Sequence, residues 1–240
     1  MLFNNNHALT HLQHQIGELS IDEILVELSR QFPGQVTFST SFSFEDQVIT
    51  HKIVSNDLPI SIFTLDTGRL FPETYSVWSA TNERYNTRVR PYYPDHDLIE
   101  TFVSTKGPNS FYESVENRKS CCYIRKVEPL KRALKDNKIW ITGLRAEHSN
   151  SRHDMPQVEW DEGNQVIKYH PILHWTTEDV KAYIQQYNVP YNPLHDKGFV
   201  SIGCAPCTRA IRPGEDFRAG RWWWEDSEKK ECGLHVHVVD

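Results

Sequence analysis

Nowhere in the chain do about 18 apolar residues follow one another, the length a membrane-spanning helix requires. The opening stretch, MLFNNNHALTHLQHQ, also lacks the apolar core of a secretory signal. The expectation is a cytoplasmic protein with no membrane partner. Basic excess is missing as well. With 26 Lys and Arg against 32 Asp and Glu the formal charge is −6, which argues against a nucleic-acid surface, although a small anion needs only a local arginine cluster. Neither the GxxxxGK(S/T) loop nor GxGxxG occurs, so an ordinary ATP P-loop and a Rossmann fingerprint are both unsupported. There is no internal repeat and no low-complexity linker. Cysteine is scarce and odd in number, five in all, and in a reducing compartment such a set points to metal binding or catalysis before disulfides.

The 240 residues suffice for one large α/β domain with a sizeable core. Ser20 and Glu23 form a capping box, Leu19 and Ile24 can staple across it, and Ile21, Ile24, Leu25 and Leu28 share one face up to Pro33-Gly34. An amphipathic first helix is expected there. QVTFS then reads as a strand, SFSFED as a turn, DQVITHKIV as a helix and ISIFTL as a second buried strand ending at Asp66-Thr67-Gly68. Pro72 opens the next helix. A strand near Thr87 to Tyr92, a helix from about Ile124 to Leu134, a strand over Lys138 to Thr142, the strand VIKYHPI and a helix capped at Thr176 or Thr177 continue the alternation. The pattern predicts a doubly wound, mainly parallel α/β sheet, with periodicity lost after Pro190. Three units are expected: a helical segment over 1–34, a nucleotide- and cluster-binding α/β domain over 35–207, and a mobile tail over 208–240. Ligands of such sheets sit at the carboxyl ends of the strands, where loops 39–46, 66–69 and 143–149 gather.

Each loop has two readings. The hydroxyls and amides of STSFSFED suit an anion at a helix N-terminus, or merely cap the helix. LDTGRLFPETY offers free backbone groups beside Gly68 to a base or ribose, or is a plain corner. Arg145, Arg152, Arg209, Arg212, Arg218 and Arg221 crowd non-periodic segments, as a solvated basic face or as forks for sulfate and phosphate oxygens. Cys121-Cys122 and Cys204-x-x-Cys207 make a tandem pair plus a CxxC. Adjacent thiolates suit an iron–sulfur cluster better than a tetrahedral zinc knuckle, with a redox dithiol at Cys204/Cys207 as a third reading. Lys126 lies near that set. Cys232 stands in the polar run KKECGLHVH, with no apolar periodicity to bury it, and is either incidental or reactive. If the other four cysteines are ligands it has no resolving partner, and an external thiol must regenerate it.

SFSFED, LDTGRLFPETY, CCYIRKVEPLKRAL, TGLRAEHS, IGCAPCTRAI, GEDFRAGRWWWED and KKECGLH, together spanning about 39 to 235, resemble the assimilatory adenylyl-sulfate reductases and their relatives, the phosphoadenylyl-sulfate (PAPS) reductases. Ser43 stands where that family often has glycine, and His148 where it often has glutamine. The resemblance implies an adenine-nucleotide α-hydrolase (PP-loop) fold, a 4Fe–4S cluster on Cys121, Cys122, Cys204 and Cys207, and adenylyl sulfate as substrate. It places Ser39, Ser41 and Ser43 in a phosphate loop and Leu65, Asp66, Thr67 and Gly68 at adenosine. Lys126, Arg145, Arg218 and Arg221 fall around the phosphosulfate, with Cys232 as nucleophile and His235 beside it. The implied reaction passes through an S-sulfocysteine that thioredoxin or a similar dithiol protein reduces to sulfite, with AMP released, in sulfate assimilation and cysteine biosynthesis. A PAPS-using or dual-specificity enzyme is the alternative, and a zinc module with an incidental Cys232 the non-catalytic one. Homo-oligomerisation is left open.

Overall fold

In the computed structural model, which describes residues 5–16, 18–148, 154–225 and 234, the Ser20 capping box forms as the sequence announces. The Glu23 amide donates to Ser20 Oγ at 3.3 Å, and the Ser20 amide to Glu23 Oε2 at 2.8 Å. Two orphan donors are satisfied reciprocally. Helix α2 (Ile21–Gln31) then buries Ile24, Leu25 and Leu28. Upstream lies a helix the periodicity reading did not foresee, α1 (Asn5–Ile16), which buries Leu12 in the same core. Residues 5–31 are thus two helices packed on the main body, not a segment with a core of its own.

The sheet is built from β1 (Val36–Ser39), β2 (Ser61–Leu65), β3 (Arg90–Tyr92), β4 (Ile139–Ile141), β5 (Val158–Asp161) and β6 (Val166–Tyr169), in the order β3-β2-β1-β4-β6-β5. All neighbours pair in parallel except β5 with β6. Helices α3 (Phe44–Ser55), α4 (Pro72–Tyr85), α5 (His96–Lys106), α6 (Val115–Cys122), α7 (Glu128–Leu134) and α8 (Thr177–Tyr187) complete the winding. Because β1 pairs with β2 on one side and β4 on the other, the chain reverses its direction of growth between β1 and β4. That switch point opens a crevice at the strands' carboxyl ends. At its centre Phe38, opposite Ile62 and Ile141, is fully buried, as are Ile139 and Ile141.

Three departures from the sequence reading matter for the site. Helix α5 was not foreseen, although Asp95 caps it through the Leu98 amide and its Ile99, Phe102 and Val103 pack near the cysteines. The expected helix from Ile124 is the continuation of α6, joined to α7 by a π-helical turn over Tyr123–Val127 in which the Glu128 amide reaches back to the Tyr123 carbonyl. Pro129, in the first turn of α7, has no N–H for the preceding turn, and the wider π turn absorbs the interruption. Cys121 and Cys122 therefore lie inside a helix rather than before one. Lastly, the expected tail does not begin at Thr208. Thr208 bridges to Arg221, and Trp222 and Glu225 are buried against the body; positions 226–233 and 235–240 lie outside the described residues.

Phe38→Ala should lower unfolding stability by about 3–5 kcal/mol, measured as a fall in the urea midpoint at unchanged slope.

Candidate active site

A solvent-open cleft with a cavity volume of about 230 Å³ occupies the switch point. Ser39, Ser41 and Ser43 line it from the β1–α3 turn, Leu65 and Thr67 from the end of β2, Thr142 and Gly143 from the end of β4. Lys126, Arg218 and Arg221 line it from the opposite direction, together with Leu234. Eight of the sequence-predicted residues thus meet in one cavity. Cys232 and His235 lie outside the described residues, as does Arg152.

The serine turn is less open to an anion than its composition suggests. Asp46 Oδ2 accepts from the Ser41 amide at 2.5 Å and from Ser41 Oγ at 2.7 Å. The Phe44 amide donates to His195 Nε2 at 3.3 Å, and Trp140 Nε1 donates to Ser39 Oγ at 2.9 Å. An internal carboxylate thus holds the donors of Ser41. Burial, with Glu45 alongside, lifts the Asp46 carboxyl to about 6. A Cβ at Gly143 would overlap the Asp46 carboxylate, so glycine after β4 is what lets the two loops close together.

Asp66 and Gly68 are not cleft walls. Asp66 Oδ1 accepts from the Gly68 amide at 2.9 Å and from Tyr75 Oη at 2.8 Å, while Gly68 takes φ +69°. They fold the corner that presents Thr67. Arg145, expected beside the phosphosulfate, is also placed elsewhere. It is buried, donates to Glu45 Oε1 at 2.9 Å, to Thr177 Oγ1 at 3.0 Å and to the Trp175 carbonyl at 3.1 Å, and pairs with Glu147. Two carboxylates already neutralise its charge, so it ties the β1 and β4 loops to α8 instead of facing a ligand.

Arg221 differs. Its side chain is buried, its Nε has no acceptor, and its contact to a protein oxygen is Ser201 Oγ at 3.4 Å. No carboxylate pairs with it among the described residues. Gly203 makes room, since a Cβ there would overlap the guanidinium. A buried cation in a cleft without a counter-charge is costly unless an anion arrives.

Cys121, Cys122, Cys204 and Cys207 are all buried, none in a disulfide, and they surround a second, smaller void with Arg69, Phe111, Arg118, Arg125 and Lys126. Burial and the neighbouring Cys204 and Cys122 push the Cys207 thiol up to about 12, and burial raises Cys121. Without a metal the Cys121 and Cys207 thiols would sit there protonated. No three of these sulfurs lie within 4.8 Å of one another, whereas the sulfurs around one zinc at 2.3 Å stand about 3.8 Å apart. Four buried thiols gathered on one void are a donor set that could hold a metal centre. Thr67 Oγ1 accepts from Cys204 Sγ at 3.3 Å, and Lys126 lines both cavities. The two chambers therefore share a wall. Sequence reasoning missed Thr142, Trp140 and Asp46; the last was legible in the SFED string, as an acidic residue just inside a helix that follows a serine turn.

The architecture is that of the adenine-nucleotide α-hydrolase (PP-loop) class. Candida glabrata FMN adenylyltransferase in complex with ATP shares this fold at TM-score 0.55 and 17% identity, over 88% of this chain and 75% of that one. Within the class, residues 35–210 match the phosphoadenosine phosphosulfate reductase domain, and the chain belongs to that family. It is 49% identical to an adenosine 5'-phosphosulfate reductase of Burkholderia cepacia, over 91% of this chain and 87% of the relative. To that of Allochromatium vinosum it is 50% identical, over 91% and 85%. The crystal structure of a PAPS reductase from Candida auris superposes at TM-score 0.73 and 30% identity, covering 88% of this chain and 99% of the other.

Asp46→Asn should remove a pH-dependent burden. A carboxyl raised from 3.8 to about 6 costs nothing while protonated in both folded and unfolded states, below about pH 4. As pH rises through 6 the folded state loses about 3 kcal/mol from it. The stability of the Asn variant relative to the parent should therefore climb by roughly 2–3 kcal/mol between pH 4 and pH 7, read from urea melts of both proteins.

Proposed function

We propose that this protein reduces adenylyl sulfate to sulfite and AMP through a sulfonated Cys232. The observation that carries the reading is Arg221, a buried guanidinium on the cleft wall with no counter-ion among the described residues. Lys126 and Arg218 on the same wall add the charge that a phosphosulfate bridge needs. The hydroxyls of Ser39 and Thr67 and the apolar faces of Leu65 and Leu234 are left for the nucleoside. Relatives named adenosine 5'-phosphosulfate reductase at about half identity favour adenylyl sulfate over PAPS.

The Cys232 thiolate attacks the sulfate sulfur, forms an S–S bond, and breaks the bond from sulfur to the bridging oxygen; AMP leaves with that electron pair. Cations on the cleft wall stabilise the departing phosphate, and His235 stands three residues from the nucleophile to favour its thiolate. A dithiol protein such as thioredoxin then attacks Cys232 Sγ, releasing sulfite with the electrons of the S–S bond. Its second thiol resolves the mixed disulfide and frees Cys232, so the dithiol gives up two electrons. Leu234 lines the cleft and packs beside Phe63, Leu130 and Trp140. The two peptide units back to Cys232 extend at most about 7 Å, which supports delivery of the thiol to the same cavity. Reducing, cytoplasmic surroundings suit this chemistry.

Cys121, Cys122, Cys204 and Cys207 would hold a 4Fe–4S cluster. When bound, it supplies a compact charge centre beside Lys126, while the electrons for sulfur pass through thiols. Thr67 and Lys126, shared between the chambers, are the residues through which the two communicate.

Peptide mapping of reduced protein mixed with adenylyl sulfate and no reductant should find a sulfonate on Cys232. An adduct from PAPS alone would move the assignment to that nucleotide, and none from either would defeat the covalent reading. Arg221→Lys should slow adduct formation by about 10²–10³-fold, the usual loss when one donor to a developing charge is withdrawn. Cys204→Ser should purify with reduced iron and acid-labile sulfide.

A further inference from the structure

Ser39 and Thr142 stand side by side on the cleft floor, each directly after one member of the Phe38–Ile141 pair that joins β1 to β4. Behind them a buried polar row crosses the sheet to its edge. Trp140 Nε1 donates to Ser39 Oγ at 2.9 Å, and Lys168 Nζ lies 5.2 Å from the centre of the Trp140 ring. Lys168 in turn pairs with Asp161 at 2.7 Å and Glu159 at 3.5 Å on the edge strand β5. Two residues further along, the fully buried His170 meets Thr142 Oγ1 through Nδ1 at 2.6 Å and turns Nε2 toward Glu159 Oε1 at 3.6 Å.

The row fixes the direction of each cleft hydroxyl. An indole N–H only donates, so one lone pair of the Ser39 oxygen is taken and its hydrogen is left for the cleft. A neutral imidazole has one N–H and one bare nitrogen, and the carboxylate beside Nε2 draws the hydrogen to that side. A charged ring would have to be held away from water, beside a lysine that already engages both edge carboxylates. With Nδ1 bare, the Thr142 hydroxyl donates to it, and the Leu144 amide donates to the Thr142 oxygen at 3.4 Å. What Thr142 offers the cleft is its second lone pair.

We propose that Thr142, held as an acceptor by the positioning residue His170, selects a nucleotide with free ribose hydroxyls against one that carries a phosphate there. The inference deepens the reductase reading and rests on it for the place of the nucleoside on this floor, across the cleft from Lys126, Arg218 and Arg221. A hydroxyl both donates and accepts, so the ribose satisfies the Ser39 hydrogen and the Thr142 lone pair together. Phosphate oxygens at neutral pH are acceptors. They can use Ser39, but against Thr142 they set oxygen to oxygen with no hydrogen between. Discrimination comes from that mismatch, a cost laid on the wrong ligand.

The test compares the unmodified holoenzyme with Thr142→Val, His170→Leu and His170→Asn, titrating each with AMP and with adenosine 3',5'-bisphosphate in a calorimeter. Nitrogen NMR of isotope-labelled histidine reads the His170 ring, its signal assigned by its loss in His170→Asn. The ring should be neutral with its hydrogen on Nε2. The unmodified protein should bind AMP roughly tenfold or more tighter than the bisphosphate, the scale set by one mispaired buried polar group. Thr142→Val and His170→Leu should each cut that ratio about fivefold or more, whereas His170→Asn, whose side-chain oxygen accepts from Thr142, should keep it within about twofold. A His170 with a merely structural role would weaken both nucleotides alike and leave the ratio where it was. If His170→Leu fails to fold, Thr142→Val, of nearly the same shape as the residue it replaces, decides the matter. A ratio unchanged in Thr142→Val, equal affinities in the unmodified protein, or a ring protonated on Nδ1 overturns the proposal and leaves the reductase reading standing. If the unmodified protein binds neither nucleotide, the reductase reading itself fails and the proposal falls with it.

Discussion

The helix that brings two adjacent cysteines into the interior cannot continue as a regular α-helix into Pro129, and much of the site follows from how it gets past. The π turn over Tyr123–Val127 widens the helix where Arg125 and Lys126 must point to different places. Arg125 donates to the Thr67 carbonyl at 2.5 Å and lines the cysteine chamber. Lys126 lines that chamber and the cleft together. A regular helix would advance the two by 100° per residue on a tighter cylinder. π turns recur at functional sites because they redirect side chains without ending a helix. Here the redirected side chains form the partition between a sulfur-rich chamber and a polar cleft.

That partition gives the site its electrostatic character. Both chambers are crowded with cations, namely Arg69, Arg118 and Arg125 around the cysteines and Arg218 and Arg221 around the cleft, in a chain whose formal charge is −6. The acids that line the cleft are engaged internally, Glu45 with Arg145 and Asp46 with Ser41. Net charge described the surface, and the local field runs opposite to it.

Much of this was legible in the residues. The alternation of buried strands with capped helices gave the sheet, and the breaks after Ser39, Leu65 and Ile141 gave the cleft. Arg145 shows where reading by residue type stops. An arginine in a loop has the same letter whether it faces an anion or two carboxylates, and Glu45 and Glu147 decide the matter from 100 and 2 positions away. Helix α1 was hidden because its apolar stripe is narrow, with Leu9, Leu12 and Ile16 separated by histidine and glutamine. Strand β5 was hidden because its acidic side chains find their partner only across the hairpin: Lys168, buried, meets Asp161 at 2.7 Å and Glu159 at 3.5 Å.

That hairpin has a consequence for how the molecule behaves in a crowd. An open sheet ends in two strands whose unpaired amides and carbonyls can recruit a neighbour's strand. At one end β3 is three residues long with Pro91 at its centre, which withholds a donor and leaves little to pair with. At the other, β5 runs antiparallel, carries Glu159 and Asp161 beside a buried lysine, and is packed by α1. Both borders of the sheet are thus poor templates for strand addition, and a fold that keeps an open, charged crevice at its centre is protected against fibrillar association at its rims.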